Sequence, residues 1–401
     1  HSTILKLHSS IHTGELTCYQ VVYSFCHRAA LIHQVVNCLS EIMFTEALER
    51  AKLLDERKPD KLLPLYGIPI SLKDQCNVAG YDTTLGYLGR AFKPKTAAEE
   101  SLLVKFLKDL GAVLYVKTTV PSSMMASETV SNTFGYTLNS VNTNFSSGGS
   151  SGGEGSLIGC YGSILGIGTD IGGSIRIPSS FQGLFGLRPT HGRLPYLKVD
   201  NSFEGQELIP SVIGPLARNL EDLEFFMELI VNKCKPWEYD VKCLEYHWDS
   251  KTALHDNYNV GIWYTDGIVT PPPSVARALK KCEEIINSAP GFKAVQWAPD
   301  TELNSSIYQV GSEIYGADHM EEIKKDFAVS GEPMLKVLGN LMSENGVCKP
   351  LSVNEWWAIG KRKYDLQQRY LDYYRSFDKC PDVIIAPVTL MPFRPDENEN
   401  M

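Results

Sequence analysis

The chain has 401 residues, of which 43% are hydrophobic and 21% charged, and its formal net charge is −9. These fractions are ordinary for a globular protein, and the length exceeds the size at which one hydrophobic core usually divides. An acidic chain without a long run of Lys and Arg lacks the basic face that nucleic-acid binding needs. We therefore expect no nucleic-acid partner.

Helical and strand patterns alternate along the chain, which is typical of α/β layering. The first sixty residues are mostly helical in pattern, and a capping box of Thr17 and Gln20 predicts the first clear helix start. In chain order, the patterns predict a helix at 17–36, a helix at 46–58, a strand at 65–73, a helix at 97–110, a strand at 112–116, a helix at 219–231, a strand at 259–263, a helix at 274–288, and strands at 293–297 and 383–386.

The ten cysteines include no Cys-x-x-Cys pair and no spacing typical of zinc ligands. Such a distribution favours a reducing compartment, so we expect a cytoplasmic protein. No run reaches the roughly 18 apolar residues of a membrane span, so none is expected. Because the chain begins with His1 rather than Met, we expect its natural start, with any targeting segment, to be missing.

Two glycine-rich motifs lie in the segment 121–195, which has little helical periodicity. Gly-Gly-Ser-Ser-Gly-Gly-Glu begins at Gly148, and Asp-Ile-Gly-Gly-Ser-Ile-Arg ends at Arg176, so Ser150 and Ser174 each follow two glycines. Glycine lets the backbone approach a ligand closely. A hydroxyl at such a turn, surrounded by N–H groups, suits attack on a carbonyl and binding of the resulting oxyanion.

A serine hydroxyl needs a base that removes its proton. Lysine can serve only when its amine is neutral, and burial lowers the pKa of lysine by disfavouring the ammonium form. Lys73 ends an apolar predicted strand, where such burial is expected. The two motifs and Lys73 together favour a serine hydrolase that uses no histidine.

The glycine-rich motifs at 148–155 and 168–178 resemble those of the amidase signature family, as do the segments 67–74 and 117–121. The segments Ala79-Gly-Tyr-Asp-Thr-Thr-Leu-Gly-Tyr87 and Gly186-Leu-Arg-Pro189 are similar to acetamidase-like general amidases of fungi. The resemblance extends from about residue 15 to the C-terminus. It implies a single α/β/α domain, built on a large twisted mixed β-sheet with helices on both faces.

The resemblance also implies site residues and a reaction. Ser174 matches the nucleophile, Ser150 the bridging serine, whose peptide bond is cis in the family, and Lys73 the base. Backbone N–H groups from Ile171 to Ser174, including Gly172 and Gly173, would form the oxyanion hole, while Met124 would line the acyl site. The implied activity is hydrolysis of a small carboxamide to carboxylate and ammonia, supporting nitrogen use, without a metal or organic cofactor. Since family members are often dimers, a homodimer is possible.

Neighbouring polar residues are interpreted as supporting ones. Asp170 and Arg176 flank the nucleophile and are expected to pair or bind backbone groups, which would fix the turn. Ser151 is interpreted as an orienting hydroxyl and Glu154 as a hydrogen-bond acceptor for the loop. Ser147 stands where many relatives have proline, which should loosen the approach to Ser150.

Two alternatives remain open. The glutamine-hydrolysing subunit of a tRNA-dependent amidotransferase shares the triad motifs, although the flanks around Tyr87 and Arg188 argue against it. In the family, the segment like Val383–Val388 is followed by roughly a hundred more residues, so the chain is expected to lack its C-terminal part. A truncated, non-catalytic paralogue is therefore the other alternative, which the intact triad disfavours.

Overall fold

A computed structural model describes residues 3–57, 63–250, 257–298, 300–338, 350–377 and 380–389. Its helices are α1 (Ile4–Thr13), α2 (Cys18–Val36), α3 (Phe44–Glu56), α4 (Leu102–Asp109), α5 (Gly152–Gly159), α6 (Arg176–Phe181), α7 (Leu220–Glu228), α8 (Pro273–Ser288), α9 (Thr301–Tyr315), α10 (Glu321–Ser330) and α11 (Val353–Arg375). Its strands are β1 (Leu39–Ile42), β2 (Pro69–Lys73), β3 (Val113–Thr118), β4 (Val130–Ser131), β5 (Gly135–Tyr136), β6 (Leu165–Asp170), β7 (Phe185–Gly186), β8 (Val212–Ala217), β9 (Tyr258–Ile262), β10 (Phe292–Gln296) and β11 (Val383–Ile385).

The largest sheet has six strands in the order β1-β3-β2-β6-β8-β7. Strand β2 runs parallel to both of its neighbours, β3 and β6, whereas β1, β7 and β8 pair antiparallel. Since the carboxyl ends of parallel strands meet at one edge of a sheet, Lys73 at the end of β2 lies near Asp170 at the end of β6. The order of the strands thus brings together two segments that are far apart in sequence.

The three C-terminal strands pair only with one another in the described part of the chain. They form a parallel sheet in the order β10-β9-β11, separate from the six-stranded sheet. The predicted mixed α/β sheet is therefore present, but it does not include the predicted strands at 259–263, 293–297 and 383–386.

Apolar side chains of α2 hold this helix against the large sheet. Val22, Ala29 and Val36 are buried in the same hydrophobic cluster as Ile70 and Leu72 of β2. The predicted capping box is present, because Thr17 accepts from the backbone of Gln20 and the Gln20 side chain accepts from the backbone of Thr17. Local capping and burial thus agree on the same helix start.

Two predicted helices have different bounds in the structure. Helix α3 begins at Phe44 rather than Glu46, and the predicted end at Lys58 lies outside the described residues. Helix α4 begins at Leu102, not near residue 97, because the amides of Ser101 and Leu102 donate to the carbonyls of Asn77 and Leu197. These long-range hydrogen bonds replace the helical ones of the predicted first turn.

No helix among the described residues combines the length and apolar composition that a membrane crossing requires.

Helix α5 lies inside the glycine-rich segment where no helix was predicted. It has the sequence Gly-Gly-Glu-Gly-Ser-Leu-Ile-Gly, and all of its residues except the last are buried. A Cβ added at Gly153 would lie 2.5 Å from the backbone nitrogen of Thr119, which follows β3. Gly153 therefore lets the helix touch the backbone of the sheet edge, and tertiary packing overrides the low helix propensity of the glycines.

Gly153→Ala should destabilise the protein by about 2 kcal/mol or more, since neither contacting backbone can move away without distorting the sheet edge. Gly311→Ala is the matched control. Gly311 also lies inside a helix, α9, but a Cβ there meets no atom within 4 Å. We expect this control to gain up to about 1 kcal/mol from helix propensity. Urea denaturation measures both changes, and equal stabilities would contradict the packing argument.

Candidate active site

Lys73 is completely buried, and its amine contacts two hydroxyl groups. Lys73 Nζ donates to Ser150 Oγ and to Thr169 Oγ1, both at 2.8 Å. Burial lowers the pKa of Lys73 to about 7, although nearby acidic groups, Asp170 foremost, oppose this shift. A substantial fraction of the amine is therefore neutral near pH 7, as a general base requires.

Thr169 and Gln75 complete the surroundings of this amine, and sequence reasoning missed both. The Thr169 hydroxyl donates to Gln75 Oε1 at 2.5 Å, so its oxygen is left to accept from Lys73. The available signal was position alone, because Gln75 follows Lys73 by two residues and Thr169 precedes Asp170. Neither residue carries a negative charge that would hold Lys73 in its ammonium form.

Hydrogen bonds from Ser151 fix the loop that carries Ser150. Its Gly149–Ser150 peptide bond is cis, and Ser150 is only 2% exposed. Next to it, the Ser151 amide donates to the Ser174 carbonyl at 3.1 Å, and the Ser151 hydroxyl donates to the Thr169 carbonyl at 3.3 Å. The two glycine-rich motifs, distant in sequence, are therefore joined directly.

Ser147 does not leave this loop unsupported. It is fully buried, and its hydroxyl donates to the carbonyl of Gly148 at 3.1 Å. Its own carbonyl accepts from the Gln182 side chain at 3.0 Å. These contacts supply anchoring at the position where a proline was expected.

Ser174 lies in the turn between β6 and α6 and is 9% exposed. Its hydroxyl makes no hydrogen bond to any residue that the structure describes, and neither do the amides of Ile171, Gly172 and Ser174. The Gly173 amide differs, because it donates to Asp170 Oδ1 at 2.7 Å. Three of the four predicted oxyanion donors are therefore available to a ligand, and the fourth is engaged by a carboxylate.

Asp170 and Arg176 form a bidentate pair across this turn. Arg176 Nε and Nη2 donate to the Asp170 carboxylate at 3.0 and 2.9 Å, and the Ile175 amide donates to it at 3.1 Å. Burial alone would raise the pKa of Asp170, but the hydrogen bonds and charge of Arg176 hold it below its ordinary value. The pair therefore stays ionised and fixes the shape of the Gly172-Gly173 turn.

Comparison with known proteins identifies the family of this chain. A model of the amidase family matches residues 20–400. The chain is 63% identical to a probable amidase of Saccharomyces cerevisiae over 400 residues, which are 99% of this chain and 73% of that protein. It is 39% identical to an acetamidase of Emericella nidulans, over 95% of this chain and 71% of that one. The chain belongs to the amidase family.

Solved structures give the same result for the fold. A fatty acid amide hydrolase superposes with a TM-score of 0.87 at 35% identity, over 94% of this chain and 66% of that one. The amidase chain thus spans about two thirds of that structure's length. A bacterial aryl acylamidase of the same family superposes with a TM-score of 0.78 at 21% identity, which supports the fold alone.

These comparisons confirm the predicted family, its α/β fold and the enzyme class, amidase. The single-domain organisation, the cytoplasmic location and the homodimer stay predictions. So does the role of Met124, which is 5% exposed and is buried in a cluster with Leu85, Tyr87 and Phe327.

The sequence predicts that Glu154 accepts hydrogen bonds from the loop, but in the structure its partners lie on the sheet. Its carboxyl oxygens accept from Ser71 of β2 at 2.6 Å and from Thr118 of β3 at 3.0 Å, because α5 packs over the sheet instead of extending the loop. Complete burial raises the pKa of Glu154 to about 8, and these two hydrogen bonds limit the rise. Glu154 therefore keeps its proton at neutral pH and adds little negative charge near Lys73.

Glu154→Gln should remove a pH dependence of stability. The carboxyl binds a proton in the folded state up to pH about 8 but ionises near 4.5 when unfolded, so the free energy of unfolding falls as pH rises between these values. The slope is at most about 1.4 kcal/mol per pH unit. Between pH 5 and 6, below the pKa of Lys73, the variant should gain about 1 kcal/mol of stability relative to wild type.

Urea denaturation at several pH values measures this difference, with the exposed Glu221→Gln as control. Parallel stability curves for wild type and Glu154→Gln would contradict the assignment of a protonated carboxyl.

Proposed function

We propose that this amidase hydrolyses a small carboxamide through a triad of Ser174, Ser150 and Lys73. The observation that carries the proposal is the buried Lys73 amine, hydrogen-bonded to Ser150 Oγ at 2.8 Å with a pKa of about 7. A neutral amine beside a hydroxyl can draw a proton, and the next residue, Ser151, donates its amide to the carbonyl of Ser174. This arrangement supports a base and a relay at one site.

In the first half of the reaction, Ser174 Oγ attacks the amide carbon while its proton moves to Ser150 and the Ser150 proton moves to Lys73. The oxyanion that forms accepts from the amides of Ile171, Gly172 and Ser174. The loss of one such donor costs roughly 3 kcal/mol in other hydrolases. The Gly173 amide instead keeps the turn in shape through Asp170.

In the second half, the ammonium of Lys73 returns its proton through Ser150 to the leaving nitrogen, and the C–N bond breaks to release ammonia. Water then attacks the acyl ester of Ser174, again giving its proton to the relay. Cleavage of this ester releases the carboxylate and restores all three groups. The steps need no group beyond the triad, the amide donors and water.

Arg176 contributes by neutralising Asp170. The Asp170 charge is the largest of those that raise the pKa of Lys73, which would keep the base protonated. A bidentate guanidinium at 2.9 to 3.0 Å offsets that charge locally. The pair therefore shapes the turn and favours the neutral amine at once.

The substrate we propose is a small aliphatic or aromatic carboxamide, whose ammonia supports nitrogen use. Two relatives at 38% and 39% identity are named acetamidases, which makes acetamide the first substrate to test. A non-catalytic paralogue would bind such amides without turnover.

Ser174→Ala should abolish acetamide hydrolysis, by a factor of about 10³ or more, because it removes the attacking oxygen. It should also abolish labelling by a fluorophosphonate, which reacts with an activated serine. Ser180→Ala is the matched control, since Ser180 is an exposed serine of α6, the helix that follows the turn of Ser174. Turnover that persists in Ser174→Ala would refute the nucleophile, and absence of labelling in the wild type would favour the non-catalytic paralogue.

The pH profile tests the base. Since Lys73 must be neutral, kcat/KM should rise with pH through about 7 and fall tenfold per unit well below that value. Arg176→Gln would leave the Asp170 charge uncompensated, raise the pKa of Lys73 and move this limb to higher pH, by about one unit. A limb that is unchanged in the variant, or a flat profile between pH 5 and 8, would contradict the role of Lys73.

A further inference from the structure

Tyr315 ends helix α9 and reaches the turn that precedes Ser174. Its hydroxyl oxygen lies 3.4 Å from the point that a Cβ on Gly172 would occupy. Gly172 itself is exposed, and its amide is one of the three unengaged donors described above. The phenol therefore lies on the exposed side of the turn.

The Tyr315 hydroxyl has no hydrogen-bond partner within the part of the chain that the structure describes, and no other aromatic ring there contacts its ring. The residue is partly buried. A tyrosine hydroxyl in such a position usually finds a partner. The hydroxyl beside Gly172 is thus free to bind a ligand.

Burial and the nearby charges keep the Tyr315 hydroxyl protonated, so it can donate a hydrogen bond. Burial raises the pKa of Tyr315 to about 12, Asp170 adds to the rise, and the guanidinium groups of Arg176 and Arg188 oppose it. Arg176 is engaged by Asp170, whereas Arg188 forms no ion pair with any described residue. A protonated phenol with an unpaired guanidinium nearby favours a ligand atom with partial negative charge, such as a carbonyl oxygen.

We propose that Tyr315 is a substrate-contacting residue, whose hydroxyl donates a hydrogen bond to the carboxamide held at Ser174. The inference rests on the proposed function, because it takes the Ser174 turn as the place of reaction. It adds a recognition group from α9, 141 residues along the chain, which none of the motifs contains. The donor lies beside the oxyanion amides, so it acts on the same end of the substrate.

Tyr315→Phe removes the hydroxyl and keeps the ring, and we expect kcat/KM for acetamide to fall about tenfold, as the loss of one hydrogen bond predicts. The melting temperature and the fluorophosphonate labelling of Ser174 should not change. Tyr308→Phe is the control, since Tyr308 lies on the same helix but is 69% exposed. Activity of Tyr315→Phe within twofold of wild type would overturn the proposal.

A binding measurement separates contact from a structural effect. In the Ser174→Ala background, the dissociation constant for acetamide should rise about five- to tenfold on adding Tyr315→Phe, measured by NMR titration. An unchanged constant would overturn the proposal even if turnover fell. If Ser174→Ala itself still hydrolyses acetamide, the nucleophile assignment fails. If Ser174→Ala is inactive and both Tyr315→Phe measurements match wild type, only the inference about Tyr315 fails.

Discussion

The structure depends on one amine being buried without an ionic partner at hydrogen-bond distance. Lys73 lies at the end of β2, in the interior of the six-stranded sheet, and its amine meets only the hydroxyls of Ser150 and Thr169. Hydroxyls stabilise an ammonium less than carboxylates do, so desolvation decides the pKa. The protonated Glu154 and the paired Asp170 remove much of the opposing charge. The order of the sheet, the packing of α5 and the pair of Asp170 with Arg176 all help to keep that amine buried and neutral.

A second buried lysine shows that burial is not sufficient. Lys117 on β3 is also fully buried and its pKa is also lowered by desolvation, yet its amine donates to the carbonyl of Asp82 and to Thr83 Oγ1 at 2.8 Å. A carbonyl accepts a hydrogen bond but has no proton to pass on, and these contacts hold the loop at residues 82–83. Only the Lys73 amine meets a hydroxyl that belongs to a glycine-rich turn. The partner, more than the pKa, distinguishes a proton relay from a structural anchor.

Much of this could be predicted from the sequence, because the signals are local. Periodicity and capping found α2, α7 and α8 within about three residues, and the two Gly-Gly-Ser motifs identified Ser150 and Ser174 as candidates. What was missed depends on tertiary contacts. Helix α5 has a loop-like composition, and its glycines are explained only by tertiary contacts, such as that of Gly153 with the backbone of Thr119. The hydrogen bond from Thr169 to Gln75 joins residues 94 apart, and no pattern within either segment indicates it.

The same distinction separates the chemistry of the site from its selectivity. The groups that we propose to move protons or bind an oxyanion lie on β2, β6 and the turns before α5 and α6, all within the first 180 residues. Tyr315 comes instead from α9, which packs against α11, and its hydroxyl lies beside Gly172. Attack and proton transfer need a rigid sheet edge, whereas substrate preference can change with the residues that α9 presents to that edge. The proposed contact of Tyr315 therefore offers a way to alter substrate preference without touching Lys73 or its hydrogen-bond partners.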